Sequence, residues 1–148
     1  MRDDLMKNAL LFLVVTSFLM SCAVDRGPPG LRAKEWQLVR IQDGSGAVLV
    51  PDVKAKYTLE FDALSGYEVR IDCNRGHGKW ASHAPGQIFL GPLALTRAAC
   101  APGSLHDRIV KQLPYVRSYL VKDNRLFLMA DGGTYEFEPS TLGKVSVP

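Results

Sequence analysis

The sequence predicts a mainly β domain of the α+β class: a small antiparallel, barrel-like sheet with one short helix near residues 104–113. Three observations carry this expectation. Short runs of alternating apolar and polar residues recur between Trp36 and Glu138, the period of a half-buried strand. Gly-, Asn- and Asp-containing segments of turn chemistry separate several of them. Only one stretch, beginning at Leu105, carries an apolar stripe of helical period. With 148 residues, 47% apolar and 22% charged, the chain has room for one domain and a globular composition. A formal charge of +3 is too mild for a nucleic-acid arm, and no nucleic-acid partner is expected.

Residues 1–21 read as a secretory signal. Arg2 and Lys7 stand before the apolar run Ala9–Met20, although Asp3 and Asp4 dilute their charge. The longest uncharged run, Asn8–Val24, has 17 residues, short of the ~20 that a spanning helix needs. Leu19-Met20-Ser21-Cys22 resembles a bacterial lipobox, which implies that Cys22 becomes the acylated first residue of the mature chain. Ala23 stands where an aspartate would favour retention at the inner membrane. The expected location is therefore the bacterial cell envelope, lipid-anchored at the periplasmic face of the outer membrane. The N-terminal lipid makes the membrane a partner, and several acyl chains on one residue anchor stably where one is marginal. Residues 22–35, with Gly27-Pro28-Pro29-Gly30, read as the lipidated N-terminus and tether. The domain is expected over 36–138 and a tail over 139–148.

Trp36–Ile41 alternates, with Val39 the exception. Tyr57, Leu59 and Phe61 share one face of the next strand, and Tyr67, Val69, Ile71 and Cys73 one face of another. Ala63–Gly66 between them makes a hairpin. Gln87–Leu90 is a further short strand. Tyr115–Val121, Arg125–Ala130 and Gly133–Glu138 follow, joined by Lys122-Asp123-Asn124 and Asp131-Gly132-Gly133, whose Asn and Gly tolerate positive φ. In the helix, Leu105, Ile109 and Leu113 form the stripe. Ser104 is the expected cap with Asp107 as its partner, and Pro114 the expected stop.

Once Cys22 is acylated, Cys73 and Cys100 remain. In an exported chain such a pair reads first as a disulfide, contributing about 3–4 kcal/mol in the chain-entropy model.

Cys73-Asn74-Arg75-Gly76-His77-Gly78-Lys79-Trp80 and Gly86–Cys100, with Thr96-Arg97-Ala98-Ala99-Cys100 at its end, resemble the two signature blocks of the META/HslJ family of envelope lipoproteins. Family members usually carry glycines before the Cys-Asn pair, where this chain has Val69 and Asp72. The resemblance implies a compact antiparallel β domain with a helix, no established catalytic site, and a role in envelope stress. Structural roles are expected for Asn74, Gly76, Gly78, Trp80 and Thr96. Asn74 would bond its own backbone in a left-handed conformation, Gly76 and Gly78 would let the chain reverse, and Thr96 would tie a backbone group near the disulfide.

Other chemistry fits less well. Cys73, His77, His83, Cys100 and His106 could be drawn as a zinc set, but the spacing is not that of a finger, so no metal or cofactor is expected. A c-type haem site needs two cysteines before its histidine. His106 and Asp107 are adjacent on the helix and should not face one another. Glu60/Asp62 and Glu136/Glu138 read as solvated strand faces. Tyr115 and Tyr119 read as core, and Trp80 as core or contact aromatic. Residues 70–117 hold Arg70, Arg75, Lys79, Arg97, Arg108, Lys111 and Arg117 against Asp72 and Asp107. Gathered together, they would favour an anionic envelope component or an acidic protein. The expected function is thus that of a non-enzymatic, lipid-anchored binding protein. The alternative is a barrel-type lysozyme-inhibitor lipoprotein, against which the basic centre counts, because lysozyme is itself cationic.

Overall fold

A computed structural model describes residues 30–32 and 34–141. The signal segment, Cys22 and the tether as far as Pro29 lie outside the described residues, as does the tail from Leu142.

Strand β1 (Glu35–Asp43) is central. Its alternation breaks at Val39 because the pairing with the last strand shifts register between Leu38 and Arg40, leaving Val39 as the extra residue of a bulge. Trp36 and Leu38 point inward before the bulge and Ile41 after it. A short β2 (Val48–Leu49) pairs with the end of β1. The hairpin of β3 (Tyr57–Phe61) and β4 (Gly66–Ile71) buries Tyr57, Leu59, Phe61, Tyr67, Val69 and Ile71. At its turn the Asp62 carboxylate accepts from the backbone N–H groups of Leu64 and Gly66 at 2.7 Å, and Ser65 takes the left-handed conformation, φ 64°.

Strand β5 (Asn74–Ala81) corrects the sequence reading. The chain does not reverse at Gly76 and Gly78; it reverses at Asp72-Cys73, where Asp72 has φ 56°, and then runs extended through both glycines. Cys73 consequently does not end the inward face of β4 but sits exposed in the turn. The inward positions of β5 read Asn-Gly-Gly-Trp, a pattern with no apolar alternation to reveal a strand. On its other edge β5 pairs with β6 (Phe89–Leu90) and β7 (Ala94–Leu95).

Strands β8 (Val116–Lys122), β9 (Arg125–Ala130) and β10 (Gly133–Pro139) form a meander. Asp123 and Asn124 both have positive φ, the requirement of a two-residue hairpin turn. The sheet order is β6-β5-β4-β3-β1-β10-β9-β8. It nearly closes: Tyr119 N–H donates to Gly86 O at 2.8 Å and Ile88 N–H to Arg117 O at 3.1 Å, joining β8 to the segment before β6.

Helix α1 (His106–Gln112) packs against β4 and buries Ile109. It starts two residues later than the sequence implies. Ser104 Oγ accepts from His106 N–H at 3.1 Å, but Asp107 turns to His106 instead of returning to Ser104. Pro114 does not stop the coil; it lies inside a 3-10 turn, Leu113–Tyr115. Tyr115 is exposed and only Tyr119 joins the core.

The inner faces and α1 fill the barrel. The interior lined by Leu38, Tyr57, Leu59, Ile109, Leu128 and Phe137 leaves about 20 Å³, room for roughly one water. The domain also begins earlier than residue 36. Leu31 is fully buried and its carbonyl accepts from Trp36 Nε1–H at 3.0 Å. At the other end Ser140 N–H donates to Glu35 O at 2.7 Å, so residues 139 and 140 belong to the fold and not to the tail.

Candidate functional site

The two signature blocks meet on one side of the barrel. Cys73 and Cys100 form a disulfide, Cα atoms 5.5 Å apart, across 27 positions of chain. Beside it Asn74 is fully buried. Its Nδ2–H donates to Ala98 O at 2.9 Å, and its Oδ1 accepts from Ala98 N–H and Thr96 Oγ–H, each at 2.8 Å. Thr96 Oγ1 accepts from Arg75 N–H at 3.1 Å, and Thr96 N–H donates to Arg75 O at 3.0 Å. Asn74 therefore neither bonds its own backbone nor adopts the left-handed region. Its amide offers a donor and an acceptor on one short side chain, so it satisfies both backbone groups of a single residue in another segment.

Each glycine of β5 makes room for a neighbour. A Cβ on Gly76 would stand 2.5 Å from Ala94 O, and one on Gly78 2.6 Å from the Tyr67 ring. Tyr67 crosses β5 there and its hydroxyl donates to Gly91 O at 2.9 Å; burial raises its pKa. Trp80 is buried edge-on to Phe61, ring centres 6.0 Å apart, and is not a surface contact. Asn74, Thr96 and the Tyr67 hydroxyl are engaged in tying backbone segments together, whereas the buried Trp80 Nε1–H has no hydrogen-bond partner among the described residues.

The titratable candidates are dispersed. Both cysteines are bonded to each other, and among the described residues no group of three or more His, Cys, Asp or Glu side chains is placed to hold a metal ion. His83 packs against Phe89, ring centres 5.6 Å apart and planes tilted by 45°. His106 Nδ1 does lie 2.8 Å from Asp107 Oδ1, contrary to the helix-spacing argument. That argument holds within a regular helix, and these two residues open one. His106 also lines an open cleft of about 640 Å³ bounded by residues 93–99 and Val110. The hydroxyl of that cleft, on Thr96, is already bonded to Asn74.

Several of the seven basic residues have local partners of their own. Arg70 and Arg75 are register partners, but Glu35, Glu60 and Glu68 share their surface hollow. Arg108 approaches Asp43 at 3.7 Å. Arg117 donates to Pro114 O and Val116 O and lies over the Phe89 ring. Lys79, Arg97 and Lys111 are exposed.

An ionic centre that the sequence reading missed lies on the outer wall. Glu136 is no solvated face residue: it is buried under Arg40, 2.6 Å away, and Arg125, both bonded to its carboxylate. Burial alone would raise its pKa; the two arginine bonds outweigh that and hold it below the ordinary value. Glu138 is lowered by its bond from Lys54 at 2.7 Å. The signal for this centre is cross-strand register, because Arg40 and Glu136 are 96 positions apart.

A nearly closed antiparallel sheet, stapled by one disulfide and by the bond between buried Asn74 and exposed Thr96, defines a small β-barrel domain. Residues 29–141 match the META domain, and the chain belongs to that family. Its fold is similar to that of a protein from Burkholderia xenovorans solved by NMR (TM-score 0.64, 23% identity, 75% of this chain and 84% of that one). It is also similar to a DUF4847 family protein from Bacteroides vulgatus (TM-score 0.55, 12% identity, 73% and 93%). A third protein solved by NMR aligns with a TM-score of 0.57 and 21% identity, over 76% and 93%. At these identities the likeness is one of fold. A search of curated proteins found no match.

Proposed function

We propose that this META-domain protein is a non-catalytic envelope module, acylated on Cys22 and held at the periplasmic face of the outer membrane, where it binds through its surface. The filled interior carries the reading. With about 20 Å³ left in the interior among the described residues, an enclosed small ligand has little room there, which favours recognition at the outer surface. The lipobox-like Leu19–Cys22 supports the anchor, and the Cys73–Cys100 disulfide suits an oxidising compartment. No helix among the described residues is long and apolar enough to cross a membrane.

Fractionation and mass spectrometry of the protein expressed in a Gram-negative host test this. The expected result is outer-membrane protein beginning at an acylated Cys22, and a Cys22→Ala variant without the acyl mass. Unmodified protein in the soluble periplasm would overturn the anchor. A lysozyme lysis assay should show no protection, and nanomolar inhibition would favour the inhibitor reading.

A further inference from the structure

The outward faces of the barrel differ. On β3, β4 and β5 they are nearly all polar, from Thr58 and Glu60 through Glu68, Arg70 and Arg75 to Lys79, with Ala81 the apolar exception. On β8 and β9 they are not. Leu120 pairs with Phe127 and Ser118 with Met129; Leu120 is 49% exposed, while Phe127 and Met129 are half-buried on the outward side. The next row toward the hairpin turn is Lys122 opposite Arg125. Arg117 stands at the bulge that opens β8, and Arg40 lies beyond β10; Arg40 and Arg125 are both paired with Glu136, Glu138 lies within the field of Arg125, and Asp123 sits in the turn beyond. An apolar centre with Lys122 and Arg117 at its rim suits an anionic lipid surface, where the apolar groups sink to the headgroup boundary and the long cations reach phosphate.

The path of the chain selects this occupant. Residues 30–32 come in beside the same hairpin: a side chain at Gly30 would touch Val121, and Lys34 Nζ–H donates to Asn124 Oδ1 at 2.9 Å. Eight residues, 22–29, separate the start of the described chain from the lipid, a reach of at most about 28 Å. We infer that the outer face of the β8–β9 hairpin is a membrane-apposed surface that seats the barrel on anionic phospholipid headgroups. The inference rests on the acylation of Cys22.

The native tryptophans make the test direct, because Trp36 and Trp80 are both buried. The mature lipidated protein is reconstituted into vesicles of phosphatidylglycerol and phosphatidylcholine brominated on its acyl chains, and tryptophan emission is read in two variants. Leu120→Trp places the reporter on the proposed face. Val50→Trp places it at a 64% exposed site after β2, which pairs with the far end of β1. Both positions are solvent-exposed, and the Leu120 site is strand, which tolerates an aromatic residue. Bromine should quench Leu120→Trp about twofold more than Val50→Trp, as expected for a side chain at the headgroup boundary. Equal quenching in protein that floats with the vesicles overturns the orientation and leaves the anchor standing. Failure of the unsubstituted protein to float overturns the anchor, and the orientation with it.

Discussion

The β3–β4 hairpin and the β5–β7 region lie side by side in one sheet and are held by different forces. In β3–β4 every inward position is a large apolar side chain, from Tyr57 to Ile71. That hairpin is stabilised by area removed from water, at roughly 25 cal/mol per Å². In β5 the inward positions are Asn74, Gly76, Gly78 and Trp80. There the chain is held by a buried amide, a disulfide and close backbone approach. The difference teaches that apolar burial tolerates exchange of similar shapes, whereas a buried polar tie tolerates almost none, because each lost partner strands a desolvated group.

The sharpest way to break the comparison is Asn74→Ala. It leaves both backbone groups of Ala98 without their protein partner; water reaches the exposed Ala98 and replaces part of the loss, so the cost should be about 3 kcal/mol by denaturant unfolding. Leu59→Met in the hairpin should cost less than about 1.5 kcal/mol. Similar in size is the disulfide. Cys73→Ser and Cys100→Ser should each lower stability by about 3 kcal/mol, equally, and reductant should bring wild type toward the same midpoint. Unequal losses would show a role for one thiol beyond the bond.

Gly78→Ala should cost about 1–3 kcal/mol, since the new Cβ meets the Tyr67 ring, and calorimetry of Gly78→Ala with and without Tyr67→Leu should show the penalty shrink when the ring is gone. The smallest effect lies on the opposite wall. Glu136→Gln should cost about 1 kcal/mol at neutral pH, modest because the arginines are nearly half exposed. The folded carboxyl titrates below its ordinary value near 4.5. Its contribution is therefore complete above that pH and is lost as pH falls through the lowered folded value. Acid unfolding curves of Glu136→Gln should be less steep than wild type below pH 4.5.

Legibility followed the same division. Wherever a strand buries one apolar face, as in β3, β4, β8 and β9, the period-2 pattern placed it to within a residue or two. Even the anomaly at Val39 was visible, although only the pairing with β10 made it a bulge. β5 escaped because glycines answer to neighbours, the Tyr67 ring and Ala94 O, that local sequence does not contain. The burial of Leu31 escaped because composition marked residues 22–35 as a linker, whereas the indole of Trp36 binds the Leu31 carbonyl. The basic residues are neighbours in sequence but are carried by strands, a loop and the helix, and several of them answer to local partners.

The sequence by itself determined the fold class, the order of the apolar strands, the family signature and the pairing of two of the three cysteines as the first expectation. Those features depend on local periodicity and on residue types at fixed spacing. Tertiary structure alone decided which polar groups are structural: Asn74 on Ala98, Glu136 between two arginines, His106 against Asp107. It also decided that about 20 Å³ remains in the described interior and that Leu120, Phe127 and Met129 share an outer face. The physical reason is the range of the forces. Hydrophobic alternation is written residue by residue, but a hydrogen bond or an ion pair requires two groups within about 3 Å, and only the closed sheet brings positions 40 and 136, or 74 and 98, that near.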